Sequence, residues 1–125
     1  MEDNAHWCEI VAARLVRRGI ENVNVRYLPV AFTGEEEFLA SEYLKAVRQS
    51  IFDVIVVDGT EWTANVRPNC FRAAEEQIAP GGIIVVDDSW RYRELGRANR
   101  AHGVNIFESV GPGRFGVTST DVYFY

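Results

Sequence analysis

Hydrophobic residues recur along this chain at two spacings, one typical of helices and one typical of strands. In residues 4–18, Trp7, Val11 and Leu15 are four residues apart, which predicts a helix that turns these side chains toward a core. Residues 22–28, NVNVRYL, alternate between polar and apolar side chains. This alternation predicts a strand.

The middle of the chain continues the alternation of helices and strands. A helix is predicted over residues 35–48, from its stripe of apolar side chains. Residues 52–57, FDVIVV, form a near-continuous apolar run, typical of a central parallel strand that is covered on both faces. A helix at 67–78, a Pro-Gly-Gly turn and a strand at 83–86 follow, and a shorter helix is predicted at 91–101.

The C-terminal part has a different pattern. Residues 104–110 and 117–125 are typical of strands, and a Gly- and Pro-rich turn separates them. Alternating helices and strands followed by a hairpin predict an α/β fold with a mostly parallel sheet and an antiparallel edge. We expect residues 1–125 to form a single domain, with helices on both faces of the sheet.

Composition narrows the classes of partner. The chain has 125 residues and a formal net charge of −5, which argues against nucleic-acid phosphates as the main partner. No stretch is apolar and long enough to span a membrane, and the first residues lack the pattern of a signal peptide. Cys8 and Cys70 fit neither a disulfide framework nor a metal-binding spacing, so we expect ordinary buried thiols in a reducing cytoplasm.

Carboxylates follow both apolar strands. Asp58 comes directly after the first of them, and Asp87 and Asp88 come directly after the second. If the two strands are parallel neighbours, these side chains meet at one edge of the sheet, where such folds bind ligands. They could bind a hard cation, accept hydrogen bonds from a ligand, or act as a general base. The alternative is structural: Asp88 caps the following helix, and Asp58 opens a turn with Gly59.

Several segments in this order resemble one enzyme family. FDVIVVDG and IAPGGIIVVDDS resemble the fourth and fifth strand region of class I S-adenosylmethionine-dependent methyltransferases, especially the small O-methyltransferase-like branch. MEDNAHWCEIVAARLVRRGIENVNV resembles the segment that follows the second strand of that fold, and GPGRFGVTSTDVYFY resembles its terminal hairpin. The resemblance covers essentially the whole chain. It implies a Rossmann-like sheet, S-adenosylmethionine as the cofactor and a small-molecule methyl acceptor.

The resemblance also assigns roles to individual residues. It implies that Glu2 binds the ribose hydroxyls of the cofactor and that Val30 and Ala31 lie near its adenine. It places Asp58 beside the methionine end of the cofactor and the methyl acceptor, as a cofactor-binding and catalytic residue.

A magnesium site and an acceptor pocket are expected beside Asp58. In the metal-dependent, catechol-type members of the family, the positions that match Asp58, Asp87 and Asp88 hold Mg²⁺, although the family has Asn at the last of them. Trp62 and Trp90 follow the two acidic segments, and each is a candidate wall of the acceptor pocket. Packing within a loop is the alternative for both tryptophans.

The family's glycine-rich turn after its first strand has no counterpart in this sequence. By the resemblance, it would precede Glu2. We therefore expect a truncated form of a methyltransferase, with an incomplete cofactor site, that covers its open strand edges by forming a homodimer.

Two other functions remain open. One is a non-catalytic, dimeric interaction module of the same fold. The other is a receiver-like phosphoacceptor domain, since VVDG and VVDD are similar to receiver strands. Receivers place the acidic pair before the phosphoacceptor, whereas Asp58 precedes Asp87 and Asp88 here, which argues against that function.

Overall fold

A computed structural model describes residues 1–30, 32–59, 65–110 and 116–125 of the chain, and every structural statement below concerns them. Helices and strands alternate through the middle of the chain, and two strands close it. In order, the elements are α1 (Ala5–Arg17), α2 (Glu35–Leu39), α3 (Glu42–Val47), β1 (Phe52–Val57), α4 (Val66–Glu75), β2 (Ile78–Val86), a 3-10 turn (Ser89–Arg91), β3 (Gly103–Val110) and β4 (Val117–Phe124).

The four strands form one mixed sheet in the order β1-β2-β4-β3. β1 and β2 are parallel, and Val57 lies opposite Val86 where both strands end. β4 runs antiparallel to β2 and to β3. The α/β fold and the C-terminal hairpin are therefore confirmed. Among the described strands only the β1–β2 pairing is parallel, because residues 22–28 do not join the sheet.

The core lies on one face of this sheet, beneath α2, α3 and α4. Ile84 and Val86 of β2 alternate with less buried neighbours and are fully enclosed. Phe71 of α4 packs on Tyr123 of β4, with 4.7 Å between the ring centroids. This packing holds α4 against the sheet.

Two predicted helices differ from the structure. The helix expected at 35–48 is two helices, because the Ser41 hydroxyl accepts a hydrogen bond from the Leu44 N–H (3.2 Å) and so starts a new helix. The helix expected at 91–101 is wrong, since only the 3-10 turn and further turns are found there. The side chain of Asn99 bonds to the Leu95 carbonyl and to the Ala101 N–H, which competes with regular helical bonding.

The strand expected at 22–28 is reduced to a single parallel bridge between Glu2 and Tyr27. The Glu2 N–H donates to the carbonyl of Arg26 (3.0 Å), and the Leu28 N–H donates to the carbonyl of Glu2 (2.9 Å). Alternation of side chains predicts which residues could form a strand. A ladder also needs a long enough neighbouring segment, and the described residues supply only Glu2.

Helix α1 buries none of its residues. Trp7 is 52% exposed, so the prediction that it belongs to the core is wrong. Helical spacing identifies the apolar face but cannot say what covers it, and no other described element buries this one. Within the described part of the chain, no helix is long and apolar enough to cross a membrane.

Candidate functional site

The parallel pairing of β1 and β2 brings Asp58 and Asp87 side by side. The Asp87 N–H donates to the Val57 carbonyl (3.1 Å), so the two chains leave the sheet together. The carboxyl groups of Asp58 and Asp87 are close enough that the charge of Asp87 acts on the ionisation of Asp58. Partial burial, and then the negative charge of Asp87, raise the pKa of Asp58, while Arg67 opposes this shift.

Arg67 is the residue that holds this edge of the sheet together. From the first turn of α4, its Nε donates to the Gly59 carbonyl (2.7 Å) and its Nη1 to the Asp87 carbonyl (2.6 Å). Its Nη2 lies 3.4 Å from Asp58 Oδ1. The side chain is only 9% exposed, so its charge is neutralised mainly by these partners.

Arg67 was not among the residues predicted from the sequence. The position of Arg67 in the sequence could have revealed it. Arg67 lies in the first turn of α4, where a cation is unfavourable because it opposes the helix dipole. An arginine that occupies this position shortly after an acidic strand end indicates a nearby anion. In this chain, the arginine is Arg67 and the acidic strand end is Asp58.

Asp88, the last of the three carboxylates, begins the 3-10 turn and contacts Trp90 and Arg91. Its backbone is left-handed (φ 51°), and it occupies the N-cap position of the 3-10 turn without a side-chain capping bond. Its Oδ1 accepts from Trp90 Nε1 (3.4 Å), and its Oδ2 lies 3.8 Å from Arg91 Nε. Trp90 is 40% exposed, and the Arg91 guanidinium lies over its ring.

The described residues do not support the magnesium site. They contain no group of three His, Cys, Asp or Glu side chains placed to hold a metal ion. The three carboxylates expected to bind Mg²⁺ each contact another side chain instead. Asp58 faces Arg67, Asp87 accepts from the Thr120 hydroxyl (3.2 Å), and Asp88 faces Arg91.

Glu2 and Asp58, which are far apart in sequence, line one cavity of about 290 Å³. Glu2 comes from the bridge at the start of the chain, and Asp58 and Gly59 follow β1. Tyr43 of α3 and Cys70 of α4 complete the polar part of the lining. The cavity therefore lies at the carboxyl end of β1, where open α/β sheets bind their ligands.

Tyr43 and Cys70, which line the same cavity, stay neutral. Burial raises the pKa of Tyr43 to about 12, and nearby negative charges, including those of Glu2 and Asp58, add to the shift. Burial also raises the pKa of the Cys70 thiol to about 12. The cavity thus offers two carboxylates as acceptors and one phenol hydroxyl, a set that suits a ligand with hydroxyl or ammonium groups.

The other predicted residues that the structure describes do not line this cavity. Val30 is partly buried against the hydrophobic core and does not line the cavity. Trp90 lies beyond β2, next to Asp88. Ala31 and Trp62 lie outside the described residues, so their predicted roles stay predictions.

No protein-family model matches the chain, and no curated protein matches it. Solved structures do. An O-methyltransferase from Bacillus cereus in complex with SAH aligns with 98% of this chain at a TM-score of 0.69 and 18% identity. The O-methyltransferase TomG from Streptomyces achromogenes, in complex with SAM, aligns equally well, with the same coverage, TM-score and identity. The chain has the Rossmann-like fold of S-adenosylmethionine-dependent methyltransferases.

The methyltransferase fold is matched over only part of the solved proteins. A protein from Klebsiella pneumoniae assigned as an O-methyltransferase gives a TM-score of 0.71 at 17% identity, with 98% of this chain covered. The chain spans 59% of that protein, 60% of the Bacillus protein and 59% of the Streptomyces protein. At these identities the similarity shows the fold.

Proposed function

We propose that this chain belongs to an S-adenosylmethionine-dependent methyltransferase of the small O-methyltransferase-like branch, with the cofactor between Glu2 and Asp58. The observation that carries the proposal is the shared cavity of these two residues at the carboxyl end of β1. The Bacillus and Streptomyces proteins of this fold, which bind SAH and SAM, support the same cofactor.

The donor and acceptor groups of the cavity fit such a cofactor. Glu2 would accept hydrogen bonds from the ribose hydroxyls, and Asp58 would face the methionine end, where it can accept from an ammonium group. The cavity, at about 290 Å³, is near the lower end of the range for small-molecule sites. Val30 and Ala31 would lie toward the adenine.

The chain's own residues would position the methyl acceptor and receive its proton. When bound, S-adenosylmethionine supplies an electrophilic methyl group. Asp58, whose pKa is raised by partial burial and by the charge of Asp87, would accept a proton from an acceptor hydroxyl or amine. Arg67 holds Asp58 in place for that role, and Trp90 and Trp62 would line the path of a small-molecule acceptor. Mg²⁺ has no part in this proposal.

A titration of S-adenosylhomocysteine into the purified chain by calorimetry tests the cofactor site. We expect micromolar binding that Glu2→Ala abolishes and that Glu2→Gln weakens, because the amide keeps an acceptor oxygen but loses the charge. Glu21→Ala, at an exposed position outside the cavity, is the matched control and should leave the affinity unchanged. Absence of binding at millimolar ligand, or binding that Glu2→Ala does not change, would contradict the proposal.

A non-catalytic homodimeric module is the second candidate, and α1 is the observation that favours it. This helix exposes Trp7, Val11 and Val16, an apolar surface that a second copy could cover. Light scattering should then give twice the chain mass, and Trp7→Glu should restore the monomer. A dimer that binds no S-adenosylhomocysteine would support the module, and a strict monomer at high concentration would exclude it.

A further inference from the structure

A second cavity, of about 430 Å³, lies at the amino end of β2, at the opposite end of the sheet from Asp58. The register of β1 and β2 shifts there, so that residues 79–82 of β2 stand opposite Asp53 alone. Ile78 and residues 79–81 line the cavity, together with side chains from α4 and from the segment before β3. Bulges of this kind recur beside functional sites because they open a strand locally.

The carboxylate of Glu75 is the buried charge of this cavity. Glu75 ends α4 and is only 8% exposed. Its Oε1 accepts from the Arg100 N–H (2.7 Å) and from the Tyr125 hydroxyl (2.8 Å). Burial and the hydrogen bond to Glu75 raise the pKa of Tyr125, so its hydroxyl keeps the proton that it donates. Among the described residues no donor bonds to the second oxygen, Oε2, and that atom is not enclosed by the protein.

Arg100 holds the opposite charge beside Glu75 without pairing with it. Its Nη2 donates to the main-chain carbonyl of Glu75, while its main-chain N–H binds the Glu75 carboxylate. Each charge is thus bonded to the backbone of the other residue. Within the described part of the chain, neither charge forms an ion pair, since the ion pairs found there join other groups. Glu76, the other carboxylate of the cavity, pairs with Arg48 (3.3 Å).

We propose that this cavity binds a small α-amino acid, with the ammonium group of the ligand on Glu75 and its carboxylate on Arg100. An ammonium group can donate to Oε2 of Glu75, and a guanidinium can bind a carboxylate through two N–H groups. A zwitterion therefore bridges two neighbouring charges that do not pair with each other. Residues 78–80 form an apolar wall, which suits an aliphatic side chain. The proposal does not rest on cofactor binding.

The probe is L-leucine, compared with two analogues of similar shape. Isopentylamine lacks the carboxylate of leucine, and isocaproate lacks its ammonium group. Each is titrated into the isotope-labelled full chain without cofactor, and amide shifts are followed by NMR. L-Leucine should shift the amides of Gly81 and His102 saturably, with a Kd of about 1 mM or tighter. Both analogues should bind at least about tenfold more weakly, because each leaves one charge of the cavity unpaired.

Two variants assign the two charges. Glu75→Gln keeps an acceptor oxygen for the Tyr125 hydroxyl but loses the charge, so it should weaken L-leucine at least about tenfold and leave isocaproate unchanged. Arg100→Met should weaken L-leucine to a similar degree and leave isopentylamine unchanged. Glu94→Gln, at an exposed position outside this cavity, is the matched control and should change none of the three affinities. If Glu75→Gln does not fold, the three ligands on the natural chain make the same test.

Three results would overturn the proposal. The first is the absence of saturable shifts at Gly81 and His102 with L-leucine at about 20 mM. The second is equal affinity for L-leucine and its analogues, which would show that the cavity does not recognise both charges. The third is a shift of the Gly59 amide instead, reversed by S-adenosylhomocysteine, which would place the amino acid in the cavity beside Asp58. A failed cofactor titration would leave the expected shifts at Gly81 and His102 intact, so the two proposals fail separately.

Discussion

Arg67 donates a hydrogen bond of 2.6 Å to the main-chain carbonyl of Asp87, across the gap between α4 and the end of β2. The same guanidinium also holds the Gly59 carbonyl and faces the carboxylate of Asp58. One buried cation thus joins the ends of two strands and the helix above them. The position of Asp58 relative to the cavity depends on it.

Replacement of Arg67 by Met should therefore destabilise the fold. The variant keeps the buried stem but leaves two carbonyls without their donor, and we expect a loss of about 2–4 kcal/mol in the free energy of unfolding. Urea denaturation measures this loss. Arg48→Met is the matched control, because Arg48 pairs with Glu76 at the surface (3.3 Å) and should cost less than about 1 kcal/mol. Equal losses of unfolding free energy in the two variants would show that the buried contacts of Arg67 contribute no more to stability than a surface ion pair.

The ionisation of Asp58 should depend on Asp87. Partial burial and the charge of Asp87 raise the pKa of Asp58 above its usual 3.8. Asp87→Asn removes that charge, so the pKa of Asp58 should fall. NMR titration of the Asp58 carboxyl carbon measures this change, and an unchanged pKa would show that the two groups do not interact.

The raised pKa of Asp58 also makes the stability of the fold depend on pH. Because the folded state raises this pKa, the contribution of Asp58 is fully present below pH 3.8 and is lost as the pH rises through the folded-state value. Asp58→Asn should thus gain stability relative to the natural chain between acidic and neutral pH. The gain will be small, since the Asp58 side chain is 62% exposed.

The two strands that carry Asp58 and Asp87 could be predicted from the sequence, because the pattern that defines each strand is local. Residues 52–57 and 83–86 are short apolar runs rich in β-branched side chains, which favour strands, and Asp58 and Asp87 follow them directly. Once the strands are parallel neighbours, the two carboxylates must meet. The hairpin was equally predictable, because its turn and its alternation are local features.

The errors concern features that depend on distant residues. Trp7 has helical spacing, yet it is exposed because nothing described packs on α1. Residues 22–28 alternate like a strand but find only Glu2 as a neighbour. Arg67 was missed because its partners are main-chain carbonyls, which no side-chain pattern reveals. Local patterns therefore predicted where helices and strands form, whereas tertiary contacts determined which of them are buried or paired.

A buried polar cluster should contribute measurably to stability. The Ser89 hydroxyl donates to Asp121 Oδ1 (2.6 Å) and lies 2.8 Å from the Ser119 hydroxyl, so Ser119 must donate to Ser89. Ser89→Ala would deprive the buried carboxylate of its shortest hydrogen bond. We expect a loss of about 1–3 kcal/mol in the free energy of unfolding. Ser109→Ala, at an exposed position of β3, should change it by less than about 0.5 kcal/mol.

The two thiols should differ sharply in their reaction with an aromatic disulfide reagent. Cys70 is buried against the core, and burial raises its pKa to about 12, so almost no thiolate is available near neutral pH. Cys8 lies on α1, which buries none of its residues, and its thiol is only partly covered. The folded chain should therefore show one fast thiol, and a second should react only on unfolding.

Single variants assign the two phases of this reaction. Cys8→Ser should abolish the fast phase, and Cys70→Ser should leave it intact. A fast reaction that survives Cys8→Ser would mean that Cys70 is reached through the cavity that it lines with Asp58. In that case S-adenosylhomocysteine, if it binds as proposed, should slow the reaction of Cys70, so the same measurement would report on occupancy of the cofactor site.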